Sequence, residues 1–112
     1  MSISRAIAQV VPPDADHPVH RLAFTGTSTG ATETGIEDEV GTADTCMYSF
    51  CPTEDCHIEW GDSGVGAAAV ATSMFYPGKV PFDKQLSRSL HTHIRVIQNS
   101  TSGSLYWHKS EK

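Results

Sequence analysis

Residues 91–98 read HTHIRVIQ, residues 99–104 read NSTSGS and residues 105–108 read LYWH. Two runs rich in β-branched and aromatic side chains flank a cluster of turn formers, the sequence form of a β-hairpin. Gly103 can supply the positive φ that such a loop usually needs. Period-2 alternation puts Ile94 and Val96 on one face, with His91, His93, Arg95 and Ile97 on the other. Leu105 and Trp107 share a face opposite Tyr106 and His108. Ile94, Val96, Leu105 and Trp107 are therefore expected to point into a core, where burial of side chains this size contributes roughly 1.5–3 kcal/mol each. A lone hairpin is marginal in water, so further strands must lie beside it.

The rest of the chain offers them. Val19 to Thr27 alternates, with Val19, Arg21, Ala23 and Thr25 on one face and His20, Leu22 and Phe24 on the other. It reads as a strand ending at Gly26. Residues 46–50 (CMYSF) and 56–60 (CHIEW) are short strand candidates, and residues 51–55 (CPTED) between them read as a hairpin turn. A strand is preferred from Ala68 to Phe75, although the alanines would also suit a short helix. Pro77-Gly78 signals a turn. Val80 to Phe82 is extended, and Asp83 to Leu90 reads as a helical turn or loop anchored by Leu86 and Leu90. Thr27 to Thr45 carries Gly, Thr, Ser and acidic residues, with Ile36 and Val40 as its large apolar side chains. It is a long loop or a weak edge strand, and loops of that length are usually functional or mobile.

A length of 112 residues makes one domain. The dispersed Gly, Ser and Thr, without long Leu/Ala/Glu/Lys runs, exclude a helical bundle. The expected fold is all-β: a small antiparallel β-sandwich or barrel-like domain over residues 17–112. Residues 1–16 form an N-terminal arm. Its residues 3–11 are apolar at positions 3, 6, 7, 8, 10 and 11, fit helix or strand, and end at Pro12-Pro13. An arm that leaves the domain to pack on a neighbour fits this pattern. No run approaches the ~20 apolar residues of a membrane span. The start lacks the apolar region of a secretory signal, so use without export by that route is expected.

The formal net charge of −5 is unevenly spread. Nine acidic residues and no Lys or Arg lie between Glu33 and Asp62. Lys79 to Lys112 holds six basic residues against Asp83 and Glu111. Either the two parts stay apart and make the subunit electrically polar, which favours head-to-tail contacts, or they lie together and neutralise each other. Net acidity makes nucleic acid an unsuitable partner, and no membrane partner is expected.

Cys46, Cys51 and Cys56 are an odd number, so at least one is unpaired or pairs with another chain. Three reduced thiols, an intramolecular bridge from Cys56 to Cys51 or Cys46, and a tie between subunits all remain open. Cys46, Cys51, Cys56 and His57 also offer four zinc ligands, but not at the C-x2-C spacing of structural zinc. His91 and His93, with His108 on the next strand, resemble the His-x-His of cupins and form the alternative reading, a small metal-binding barrel. No carboxylate follows at the cupin spacing. Residues 61–64 (GDSG) echo the nucleophile motif of trypsin-like proteases, without its histidine and aspartate contexts, and are read as a turn. Asn99-Ser-Thr, an acceptor pattern for glycosylation, is also read as a turn. No phosphate-binding or dinucleotide glycine motif occurs, so no cofactor and no enzyme is expected.

The small-residue stretch Gly64–Ala71, the extended Met74–Phe82 and the closing Ile94–Trp107 run resemble small all-β virion proteins of tailed phages, particularly head-decoration proteins. They cover about half of the chain. The resemblance implies a homo-oligomer, often a trimer, made in the host cytoplasm and carried in the virion. It also implies docking on the major capsid protein or another virion protein, in a decoration role or as an adaptor or tail component.

Overall fold

In Thr45–Pro52 every second side chain is large and apolar: Cys46, Tyr48 and Phe50, then Pro52. Those four are buried, while Met47 and Cys51 between them are partly exposed. This is the period of a strand packed on one face, and it recurs along the chain. A computed structural model describes residues 19–38 and 44–110. Eight strands result: β1 (His20–Phe24), β2 (Thr32–Glu33), β3 (Thr45–Pro52), β4 (Cys56–Gly61), β5 (Met74–Tyr76), β6 (Phe82–Ser87), β7 (His93–Gln98) and β8 (Gly103–Lys109). A 3-10 turn spans Ile36–Asp38.

The strands form two four-stranded sheets, sheet A ordered β1-β8-β3-β6 and sheet B ordered β2-β7-β4-β5. Every pairing is antiparallel. In the pairs β1·β8, β2·β7, β3·β6 and β4·β5 the strand numbers add to nine. That is the pattern of one long two-stranded ribbon folded at β4–β5 and wrapped upon itself, the order of a jelly roll. The sheets face each other without closing into a barrel.

The core lies between the sheets. Phe24, Ile36, Tyr48, Phe50, Ile58, Leu86, Ile94, Val96, Leu105 and Trp107 fill it, each at most 2% exposed. Sheet A carries an aromatic row across its full width. His20, Trp107, Phe50 and Phe82 are successive cross-strand partners on β1, β8, β3 and β6. Their rings stack with centroids 5.3, 5.9 and 5.2 Å apart. Tyr76 of β5 stacks on Phe82 at 4.4 Å and joins the row to sheet B. Trp60 of β4 meets Phe50 edge-on at 5.2 Å. Trp107 Nε1–H donates to Thr34 O at 2.9 Å, so the buried indole nitrogen is satisfied.

The expected all-β class, the inward side chains of residues 94, 96, 105 and 107, and the shared face of His20, Leu22 and Phe24, which turns out to be the inner one, are as read from the sequence. Several local expectations are not. The closing run is not a hairpin: β7 belongs to sheet B and β8 to sheet A. Residues 99–102 carry the chain across the ~10 Å gap between packed sheets, and turn formers serve that corner as well as a hairpin. Residues 53–55 likewise link strands of different sheets. Gly103 is not a left-handed turn residue. It opens β8 where a Cβ would stand 2.7 Å from Thr53 Oγ1. The positive φ falls instead at Gly35 (93°) and at Lys79 (63°).

The strand expected over Ala68–Phe75 shrinks to Met74–Tyr76. Ser73 turns back on Ala69, donating its N–H to Ala69 O at 2.9 Å. Its hydroxyl accepts the Ala69 N–H at 3.0 Å. Over Asp83 to Leu90 the expected turn or loop is confined to the end, where His91 N–H donates to Ser87 O at 2.8 Å; before it β6 runs through Ser87 in register with β3. Leu86 anchors it as expected, but Leu90 is exposed. Gly61–Gly64 is a turn, in which Gly64 N–H donates to Asp62 Oδ1 at 2.8 Å. The N-terminal arm lies outside the described residues. Acidic and basic parts of the sequence interleave, because β3 and β4 pair with β6, β7 and β8. The two parts therefore lie together rather than at separate poles.

Candidate functional site

The three candidate metal histidines sit on different surfaces. His93 precedes buried Ile94 on β7, so its ring faces out from sheet B, where Nδ1 is hydrogen-bonded to Thr92 Oγ1 at 2.9 Å. His108 follows buried Trp107 on β8 and faces out from sheet A. His91 lies in the turn before β7, edge-on to Trp60 at 6.2 Å. Its Nδ1 accepts the Ser87 N–H at 2.9 Å. Partial burial, and then the Lys84 charge, hold the His91 imidazolium pKa below its usual 6.5. The outer faces of two packed sheets are separated by more than ~10 Å, so the structure does not bring these three together.

The zinc set is dispersed in the same way. Cys46 and Cys56 are buried and face the core from opposite sheets. Cys51 faces out from sheet A, and His57, between buried Cys56 and Ile58, faces out from sheet B. Cys46 and Cys51 share a strand with opposite orientations, and the run from Cys46 to Pro52 separates Cys46 from Cys56 by roughly 20 Å. No intramolecular bridge forms, and all three cysteines stand as thiols. Burial, helped by Asp55, pushes the Cys56 thiol up to about 12. Burial also raises Cys51. Among the described residues no group of three or more His, Cys, Asp or Glu could hold a metal ion.

A polar cluster that sequence reasoning missed lies on the outer face of sheet B. His57 Nδ1 donates to the Ser73 carbonyl at 3.0 Å, and Nε2 is hydrogen-bonded to the Asn99 side-chain amide at 2.9 Å. Ser73 Oγ–H donates to Glu59 Oε1 at 2.6 Å. Arg95, the cross-strand partner of Glu59, donates to Thr29 O at 2.7 Å and to Val65 O at 3.2 Å. Ala68 N–H reaches Ser28 Oγ at 2.9 Å. Serine, histidine and carboxylate are adjacent here but do not form a nucleophile relay, since His57 touches the Ser73 carbonyl and not its hydroxyl. The cluster fastens the 25–31 and 62–73 segments over the sheet.

The surface carries a second feature. Val70, Met74, Phe75 and Val80 are all exposed and fall within eleven residues on and around β5, one of the two edges of sheet B. Met74 is 65% exposed although its register partner Ile58 is 1% exposed. Edge strands present unpaired N–H and C=O groups as well as side chains. The sequence marks this run as extended but holds no sign that β5 ends its sheet. The signal available was composition: Met74-Phe-Tyr stands between a serine turn and Pro77 with no charge to guard it.

No family model matches the chain, and no curated protein does. A solved structure from Bacillus endospore appendages, described as a family of disulfide-linked pili, is similar at 8% identity, over 86% of each chain, with a TM-score of 0.45.

Proposed function

We propose that this chain is a non-catalytic structural subunit, which works by assembling through its surface with copies of itself. A jelly roll serves capsid domains, lectins and cupins alike, so the fold does not choose among them. The observation that carries the reading is the cluster of exposed apolar side chains around β5. Clustered exposed apolar side chains mark contact sites. The chemically capable groups support it as well. His57, Glu59 and Ser73 are occupied in holding loops, and His91, His93 and His108 are spread over three surfaces.

The finer reading is a virion component that decorates or cements a capsid lattice, as a homo-oligomer docked on the major capsid protein. It rests on the resemblance of the Gly64–Ala71, Met74–Phe82 and Ile94–Trp107 stretches to phage head-decoration proteins. Sedimentation analysis of the purified chain, followed by co-sedimentation with capsids of tailed phages, tests both levels. Concentration-dependent oligomers with capsid binding are expected. A chain that stays monomeric at every concentration overturns the structural-subunit reading. Oligomers that ignore capsids overturn the decoration role alone.

A further inference from the structure

β5 and β6 are edge strands of different sheets, with no hydrogen-bonded pairing between them. Five partly exposed side chains converge in the mouth they leave, with Trp60 of β4 at the centre. Lys84 points inward on β6, since its cross-strand partner Tyr48 is buried, and its ammonium stands 4.9 Å from the Trp60 ring centroid. His91 meets the same ring edge-on at 6.2 Å. Tyr76 Oη accepts the Trp60 Nε1–H at 3.3 Å, and its ring stacks on Phe82 at 4.4 Å. Phe82 in turn stacks on Phe50 at 5.2 Å, so a ladder of near-parallel rings leaves the core and ends on Tyr76.

The polar groups gathered here are donors without acceptors. Among the described residues Lys84 has no carboxylate partner. His91 Nδ1 accepts the Ser87 N–H, so the neutral ring carries its proton on Nε2. The Tyr76 hydroxyl receives the indole N–H, and its own O–H meets no acceptor among the described residues. Lys84 lies near enough to His91 that its charge, after burial, helps hold the imidazolium pKa below its usual value. A lone inward lysine on an edge strand commonly guards against strand addition. Such a guard requires only the charge, not a phenol O–H and an imidazole N–H gathered beside it. We propose that the mouth between β5 and β6 binds a small carboxylate carried on a flat ring, from either a sugar acid or an aromatic acid. One ammonium matches the single negative charge of a carboxylate, whereas a phosphate carries closer to two. The two carboxylate oxygens offer about four lone-pair sites, enough for Lys84, His91 and Tyr76 together. The ligand ring would lie against Tyr76, the last ring of the ladder. A mostly apolar lining with a few convergent polar groups is the usual make-up of a small-ligand site. This binding role goes beyond the assembly reading and does not depend on it.

Heteronuclear NMR of the full-length chain tests this, because its two indole N–H groups report on different places. Trp60 lies in the mouth, and Trp107 is buried and bonded to Thr34 O. The protein is titrated with glucuronate and, separately, with benzoate, and glucose and benzyl alcohol serve as their uncharged counterparts. At least one acid should shift the Trp60 signal saturably while Trp107 stays in place, and the acid that does so names the source. Lys84→Met keeps the stem and loses the charge, so it should weaken binding about tenfold. Tyr76→Phe keeps the ring and loses the O–H, with a weakening of about threefold. Far-UV circular dichroism confirms that each variant folds, and Tyr76→Phe decides alone if Lys84→Met does not. The proposal is overturned if neither acid moves Trp60, if the uncharged counterpart binds as well as its acid, or if the deciding variant binds like the parent.

Discussion

Replacing Phe50 with alanine should remove the centre of the aromatic row. Phe50 is 1% exposed and meets Phe82, Trp107 and Trp60 at ring-centroid distances of 5.2, 5.9 and 5.2 Å. Burial of its side chain contributes about 1.5–3 kcal/mol, and each ring pair adds about 0.5–1.5 kcal/mol. Phe→Ala changes in cores cost about 3–5 kcal/mol with the cavity included, so about 4 kcal/mol is expected here. A domain of this size has roughly 5–15 kcal/mol in total, so much of its stability goes with that ring. Urea titration at one low protein concentration measures the loss, with Tyr106→Ala on the outer face of sheet A as a control below about 1 kcal/mol. A double-mutant cycle with Phe82→Ala should return a coupling of about 0.5–1.5 kcal/mol. A Phe50→Ala loss under about 1.5 kcal/mol, or zero coupling, would show that the stacked row is not what holds sheet A to its neighbours.

Stability should fall as pH drops below about 6.5. His91 has a lowered folded-state pKa, so the unfolded chain takes up its proton first. The contribution of the neutral ring is full above the ordinary value and fades as pH falls through the folded one. His91→Gln should flatten the change in urea midpoint between pH 5 and 8, and an unchanged slope would exclude this residue. In the native state a maleimide should label Cys51 well before Cys46 and Cys56, which are buried; equal rates on a mass-spectrometric peptide map would contradict the packing. Gly35→Ala should destabilise by more than ~1 kcal/mol, because a φ of 93° and a Cβ 2.9 Å from the His20 ring both oppose it. A thermal melt unmoved by that change would place the turn elsewhere.

The sequence carried the face of each strand more legibly than its neighbours. Ile94, Val96, Leu105 and Trp107 alternate in a way that only a half-buried strand explains, and all four are in the core. Pairing is another matter. The six polar residues Asn99 to Ser104 could close a hairpin or turn a corner, because both need the same turn chemistry. What decides is the partner supplied by β1, more than eighty positions away. β6 escaped notice for a related reason. Its residues FDKQLS have weak strand propensity, and pairing with β3 overrides it. The histidines were suspected from spacing alone, and spacing cannot say which side of a sandwich a strand occupies. The exposed edge at β5 was hidden because exposure depends on which strand comes last in the sheet.

The wrapped-ribbon order has a consequence for synthesis. β8, the last of the eight described strands to be made, lies between β1 and β3 and joins them in sheet A. Until Gly103–Lys109 leaves the ribosome, the first strand lacks its strand partner and the aromatic row lacks Trp107. The domain therefore stays open until residues 103–109 are made and closes in one late step, with position 20 finding position 107. Such a domain depends on holding chaperones more than its small size would imply, and a stop codon ahead of Gly103 would leave β1 and β3 without the strand that joins them.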